Sequence, residues 1–247
     1  MAETRANAVQ DPGEGSRGAR AEDGAVTAKQ AQSERTRVSL IRTAERLFAL
    51  HGSDNVKIQD INDAAGQRNK SAIYYHFGCK TDFIAAIFSY RFDEFEIICN
   101  ASLDRMLETI PSPTMHDICV AAWEPCLEVM LSDENWYYFR FAAHYTFNTD
   151  VNFVPLEMSL RMRSTRRIAE MLGRLYPGVP KEVLAIRQRN SIFTMTALLS
   201  EWARLRHIQT PPRSEAFIRD CFADAMETLA ASFDAPYRGR IEDGVRL

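Results

Sequence analysis

From Ile58 to Lys80 the chain reads IQDINDAAGQRNKSAIYYHFGCK, two short helical patterns that meet at a glycine. In the first, Ile58, Ile61, Ala64 and Ala65 recur at the spacing of one helix face, which leaves Gln59, Asp60, Asn62 and Asp63 on the other. Gly66 follows the last periodic residue, where a left-handed backbone costs least without a Cβ. Asn69 supplies the next start signal. Its side-chain oxygen can accept a backbone N–H two or three residues on, so it is expected to be the N-cap of a second helix. Ala72, Ile73 and Phe77 then turn inward and Lys70, Ser71, Tyr74 and Tyr75 outward. A short helix with basic and aromatic groups on its outer side suits contact with phosphates and base edges, as in a helix-turn-helix whose second helix enters a DNA major groove.

Two neighbouring blocks make the pattern more specific. LIRTAERLFALHG (40–52) precedes DINDAAG (60–66), and SAIYYHFGCK (71–80) follows. Together they resemble the N-terminal DNA-binding domain of TetR-family transcriptional regulators. The family pattern has a helix with Leu-Phe near its end and Gly just after, then an Asp-Ile-x-x-x-Ala-Gly helix. A short turn leads to a helix closing on Leu-Tyr-x-His-Phe and x-x-Lys. The resemblance stops near Lys80, because the remainder of such proteins diverges. It implies contacts to double-stranded DNA from Arg68, Asn69, Lys70, Ser71, Tyr74, Tyr75, His76 and Lys80. The usual family turn is Ala-Gly-Val-Ser, with Ser as the cap. Counting back from Tyr74, that cap falls on Asn69, and Gln67 and Arg68 fill the place of one residue. The turn is thus one residue longer and carries a cation. Arg68 either lies beside a helix N-terminus where phosphates dock or is simply solvated.

A DNA-binding reading has to be reconciled with a formal net charge of −3. Residues 33–80 hold eight Lys/Arg against five Asp/Glu, a local +3, whereas residues 1–32 carry −1 and residues 81–247 carry −5. The positive charge is confined to the segment that would need it. The chain divides accordingly. Residues 1–32 contain no aromatic residue, Leu or Ile, and are expected to be a disordered arm. Residues 33–80 form the DNA-binding domain, with Ser33 as an acceptable N-cap of its first helix and Ile41, Ala44, Leu47 and Phe48 as the inward face. Arginines near the start of that helix can reach phosphates or be solvated.

Residues 81–235 are expected to be a ligand-binding and dimerisation domain, and 236–247 a loose tail. A long helix runs to about Ile110 on Phe83, Ile84, Ile87, Phe88, Phe92 and Phe95. The next, from about Thr114 to Leu131, contains Pro125, which should kink it and open space alongside. Trp123, Cys126, Leu127, Trp136, Phe139, Met158, Met162 and Phe193 are the candidate lining of that space. Seven aromatic residues crowd 134–148, more than one helix can point at one core, so they divide among core, cavity and interface. Arg161, Arg163, Arg166 and Arg167 form either a solvated helix face or a site for an anionic head group. Two apolar helices, about Lys181–His207 and Ser214–Phe233, close the chain. The resemblance implies that they pair across a two-fold axis as a four-helix bundle, with Leu198, Trp202, Phe222 and Met226 as candidates for that interface.

No segment argues for a strand, so the fold expected is all-α with about nine helices. No hydrolase elbow, phosphate loop, zinc-protease or dinucleotide motif is present, and the five histidines are scattered. Five cysteines without C-x-x-C spacing argue against a disulfide framework or a zinc site. No catalytic residue, metal or cofactor is therefore expected, and no membrane span or secretory leader is seen, which points to the cytoplasm. The function this implies is a homodimeric regulator, a repressor of a palindromic operator released by a largely apolar small molecule. An activator or a ligand-independent adaptor using the same DNA-binding domain is the alternative.

Overall fold

The computed structural model describes residues 14–52, 55–147 and 162–237, with side chains from residue 28 onward. Among these residues there are nine α-helices, one π-helical turn and no strand. Helix α1 spans Glu14–His51. It begins well before Ser33, so the segment expected to be a disordered arm is helical from Glu14, and residues 1–13 lie outside the described residues. The Ala, Glu, Arg and Gln content of 14–32 favours helix even where nothing apolar is available to bury.

Helix α2 (Ile58–Ala64) packs against α1, and α3 (Ala72–Phe77) packs against α2 and the helix that follows it. Leu40, Ile41, Ala44 and Phe48 of α1 meet Ile61, Ala72, Ile73 and Phe77, and all are buried. Helix α4 (Lys80–Thr109) carries this core into the body through Phe83, Ile84, Ile87 and Phe88. Helix α5 (Met115–Leu131) packs along α4. A reciprocal cap opens it: Thr114 Oγ1 accepts from Asp117 N–H at 3.2 Å, and Asp117 Oδ2 accepts from Thr114 N–H at 2.8 Å. The Thr114 hydroxyl, which donates to Asp117 Oδ2 at 2.6 Å, and after it the Thr114 N–H hold the Asp117 carboxyl below its ordinary range. Helix α6 is Tyr137–Phe147, α7 Arg163–Leu175, α8 Lys181–Ala203 and α9 Glu215–Asp234. The π-helical turn Arg204–Ile208 ends α8, and Ser214 caps α9, accepting from Phe217 N–H at 3.2 Å.

Trp202, Phe222 and Met226 are not on an outer face. They are buried inside the single chain, where Trp202 meets Phe222 edge-on at 6.2 Å. Helices α8 and α9 pack on each other and on α5, and that packing consumes their most apolar stripe. Leu198 is half-buried and lines an outer groove between α8 and α9.

Helix α6 distributes its aromatic residues over three surroundings. Phe141 stacks on Phe48 of α1 at 5.7 Å, and Tyr145 meets the same ring edge-on at 6.1 Å. Tyr138 and Phe139 face the interior of the body. Just before the helix, Trp136 lies flat on His207, with ring centroids 4.9 Å apart and planes 2° from parallel. His207 Nε2 is 3.1 Å from the Met130 carbonyl and serves as its donor. Burial lowers the His207 pKa from 6.5, so the ring packs neutral. The stability this contributes is present above pH 6.5 and is lost as pH falls through the lowered value. Acidifying from about pH 7.5 to about pH 5 should depress the thermal midpoint, and His207→Gln should flatten that dependence. His76, whose pKa burial also lowers, supplies the residual slope.

Candidate nucleic-acid interface and ligand cavity

The turn between α2 and α3 is held at both ends. Gly66 adopts φ 68°, its N–H donates to Asp63 O at 3.1 Å, and Gln67 N–H donates to Asn62 O at 2.9 Å. These two bonds form a Schellman closure of α2, which needs a positive φ at Gly66. Asn62 does not lie on the solvated face. It is fully buried, and its Nδ2 donates to the Lys70 carbonyl at 2.6 Å, tying α2 across the turn. Ala64, assigned to the inward face, is exposed instead. The helix is only seven residues long and packs on two sides, so its buried arc is rotated towards Asn62.

Asn69 Oδ1 accepts from Ser71 N–H at 2.9 Å, and its carbonyl accepts from Ala72 N–H at 3.0 Å. The regular helix starts at Ala72 with Ser71 at the N-cap position, two residues later than expected, because Asn69 closes a preceding turn. Asn69→Ala should cost about 1 kcal/mol, read by urea unfolding, with local loss of amide protection at Ser71.

Ala72, Ile73 and Phe77 root α3 in the core. Arg68, Asn69, Lys70 and Ser71 are exposed, as is Lys80 at the start of α4. Tyr74 and Tyr75 are 50% and 77% exposed. Two adjacent exposed tyrosines give this turn of helix an aromatic outer face with hydroxyl tips. His76 differs from its neighbours. It is half-buried, and its carbonyl accepts from Arg37 Nη1 at 2.6 Å. Arg37 also lies 4.5 Å over the Phe77 ring, so this arginine of α1 serves the C-terminal end of α3. Arg35, Arg42 and Arg46 are exposed, and Arg42 donates to Tyr90 Oη at 3.3 Å.

A buried ion pair joins this domain to the body. Glu45 of α1 and Arg91 of α4 are each 2% exposed, and Arg91 donates from Nε and Nη2 to the two carboxylate oxygens at 2.7 and 2.5 Å. Its Nη1 donates to Glu94 at 2.7 Å and to Asn135 at 3.1 Å. Burial alone would lower the Arg91 pKa, but the hydrogen bonds and charge of Glu45 hold it above its ordinary value. Burial pushes the Glu45 carboxyl upward against the pull of Arg91. Neither residue was among the sequence candidates.

In the body, a cavity of about 150 Å³ lies between α4, α5, α6, α7 and α8. Trp123, Cys126, Phe139 and Met162 are on its wall. Leu127 and Trp136 are buried elsewhere, Trp136 on His207, and Phe193 sits against Phe147. Met158 lies outside the described residues, as does Arg161. Helix α5 continues through Pro125, and the cavity opens beside that residue along Cys119, Ala122, Trp123 and Cys126. Arg163 and Arg166 are exposed, and Arg167 binds Asn100 and Asp104. None of these three lines the cavity. Helix α7 has no cap of its own; Glu96 of α4 accepts its first N–H groups, from Arg163 at 2.7 Å and Ser164 at 2.9 Å. Among the described residues, no cluster of His, Cys, Asp and Glu could hold a metal ion, and no helix is long and apolar enough to cross a membrane.

Two family models match. One, described as bacterial regulatory proteins, tetR family, covers residues 40–87, and the other, described as tetracyclin repressor-like, C-terminal domain, covers residues 121–232. No curated protein matches the chain. Among solved structures, the crystal structure of RolR in complex with the ligand resorcinol is 18% identical, with a TM-score of 0.46 over 85% of this chain and 98% of that one.

Proposed function

This chain belongs to the tetR family of bacterial regulatory proteins and is a DNA-binding transcriptional regulator, and from that premise we propose that it is a homodimeric repressor. In this reading it binds a roughly palindromic operator and leaves it when a largely apolar small molecule enters the body cavity. The observation that carries the reading is α3, a helix rooted by Ile73 and Phe77 that offers Tyr74, Tyr75 and neighbouring cations to an outside partner. One such helix reaches only a few base pairs, so selectivity calls for two, presented by a two-fold dimer to successive major grooves. The outer groove of α8 and α9 suits self-association. Its lining mixes small and polar residues, among them Ser191, Thr194, Ala225, Thr228 and Ser232, with the larger Arg187, Asn190, Leu198 and Leu229.

The route from cavity to DNA runs through α6. Tyr138 lines the cavity, and its ring lies 5.8 Å from the Arg91 guanidinium, which holds Glu45 of α1. A ligand that displaces Tyr138 loads this joint and changes the angle at which α1 to α3 are presented. It can act only through its differential affinity for the two states, and a shift from 1:99 to 99:1 requires about 5.5 kcal/mol.

Footprinting on the DNA upstream of the protein's own gene tests the reading. Two protected half-sites about one helical turn apart are expected. A single protected site, or none, would contradict it. A reporter that rises when the gene is deleted identifies a repressor, and one that falls identifies an activator.

A further inference from the structure

We infer that Asn62 and Arg37 are positioning residues for DNA recognition. From α2 and α1 they hold the carbonyls at the two ends of α3 and so aim Tyr74 and Tyr75, without touching DNA themselves. This rests on the reading of α3 as the element that meets DNA.

Helix α3 is six residues long, too short to keep its shape and direction alone. Its buried side chains are Ala72, Ile73 and Phe77. The two large ones lie one turn apart on a single stripe, so they fix the helix to the core but leave its roll about that stripe weakly determined. A side-chain tip about 6 Å from the helix axis moves by about 1 Å for a roll of about 10°. A selective contact surface has to be held within about 0.5 Å.

Asn62 holds the leading end. It is fully buried, its Nδ2 donates to Lys70 O at 2.6 Å, and its own carbonyl accepts from Gln67 N–H at 2.9 Å. One residue of α2 thus binds both sides of the turn that carries Arg68 and Asn69. Its Oδ1 is buried with no hydrogen-bond partner among the described residues. An orphan acceptor is unfavourable, and an apolar side chain of similar size would not leave one. What Asn62 offers over an apolar residue is the bond to Lys70, not stability.

Arg37 holds the trailing end. The last carbonyls of a helix lack intrahelical donors, and His76 O receives Arg37 Nη1 at 2.6 Å. The guanidinium lies 4.5 Å over the Phe77 ring, which joins the carbonyl clamp to the buried anchor. Arg37 Nε also faces Glu34 at 3.5 Å. With a carbonyl, a ring and a carboxylate around it, this half-buried cation is committed within its own domain. Arg68, Lys70 and Lys80 are exposed and suited to phosphates instead.

Asn62→Leu and Arg37→Met test this in the full chain, by fluorescence anisotropy on the duplex upstream of its own gene and on a scrambled duplex. Each variant should bind the upstream duplex about tenfold more weakly, while affinity for the scrambled duplex stays within about twofold and the salt slope is unchanged. Amide exchange at Tyr75 and Gly78, whose N–H groups donate to Ser71 O and Tyr74 O, should quicken with the urea midpoint little altered. Arg37→Met keeps an unbranched stem on Phe77 at a half-buried position, so it carries the test should Asn62→Leu fail to fold. In the Tyr74→Ala, Tyr75→Ala background, adding Arg37→Met should cost no further affinity, because the clamp acts through those rings. An even loss on both duplexes with a salt slope lower by about 1 would make Arg37 a phosphate contact and overturn the assignment. So would unchanged upstream affinity in both variants, or a further loss in the double tyrosine background. Upstream binding that survives the double tyrosine substitution contradicts the reading of α3 and the clamps with it. Tyrosine-dependent binding that tolerates both clamp variants contradicts the clamps alone.

Discussion

Arg91→Ala should lower the unfolding free energy by about 3–5 kcal/mol, seen as a lower urea midpoint with an unchanged slope. The substitution leaves the Glu45 carboxylate buried at the junction of α1 and α4 without the two hydrogen bonds that neutralise it. It also frees Glu94 and Asn135, so three elements lose a common anchor. Replacing both partners, Glu45→Leu with Arg91→Met, should recover most of that loss, because an apolar pair of similar volume carries no desolvation cost. The double variant separates stability from coupling. If the ion pair transmits the state of the body to α1, the double variant will fold and bind DNA but respond weakly to ligand. A double variant as unstable as Arg91→Ala would show that the site needs its charges for packing.

The second large effect is expected on the outer face of α3. Tyr74→Ala and Tyr75→Ala should each weaken operator binding by about tenfold or more, and the pair should abolish selective binding. Stability should change by no more than about 0.5 kcal/mol, since neither ring is buried in the free protein. Lys70→Ala and Lys80→Ala should instead lower affinity evenly across sequences and reduce the salt slope by about 1 each, if each neutralises one phosphate. A Tyr74→Ala protein that unfolds would place the ring in the core.

The residues that betrayed the DNA-binding domain were those whose backbone demands are local. Gly66 needs a positive φ, Asn69 needs a nearby N–H, and Ile73 and Phe77 follow helical period, so each could be read without knowing the fold. Asn62 could not, because its burial depends on how α2 tilts between α1 and the long turn. The Glu45–Arg91 pair left a trace that a simple reading passes over. Arg91 lies three residues after Phe88 and four before Phe95, on the buried stripe of α4, and Glu45 follows buried Ala44. A charge on an apolar stripe requires a partner, but its partner is a matter of tertiary packing.

The body was legible in its helices and less so in its faces. Apolar residues on α8 and α9 read equally well as core or interface, and packing against α5 assigns Trp202, Phe222 and Met226 to the core. Helix α5 runs on through Pro125, which leaves the Ala121 carbonyl without its helical donor, and the cavity is lined by Cys119, Ala122, Trp123 and Cys126 of the same helix and not by Pro125 itself. Leu127 and Trp136 lie near that wall in sequence but point into other contacts, which periodicity alone does not resolve.

The central claim is that α3 and its flanking cations read DNA. Fluorescence anisotropy of the purified protein on its own upstream DNA and on a scrambled duplex, repeated across a range of salt concentrations, tests it most directly. Tight, salt-dependent binding to the upstream duplex, lost in the Tyr74→Ala, Tyr75→Ala double variant, is the predicted result. Equal affinity for both duplexes, or binding that survives the double substitution, would contradict it.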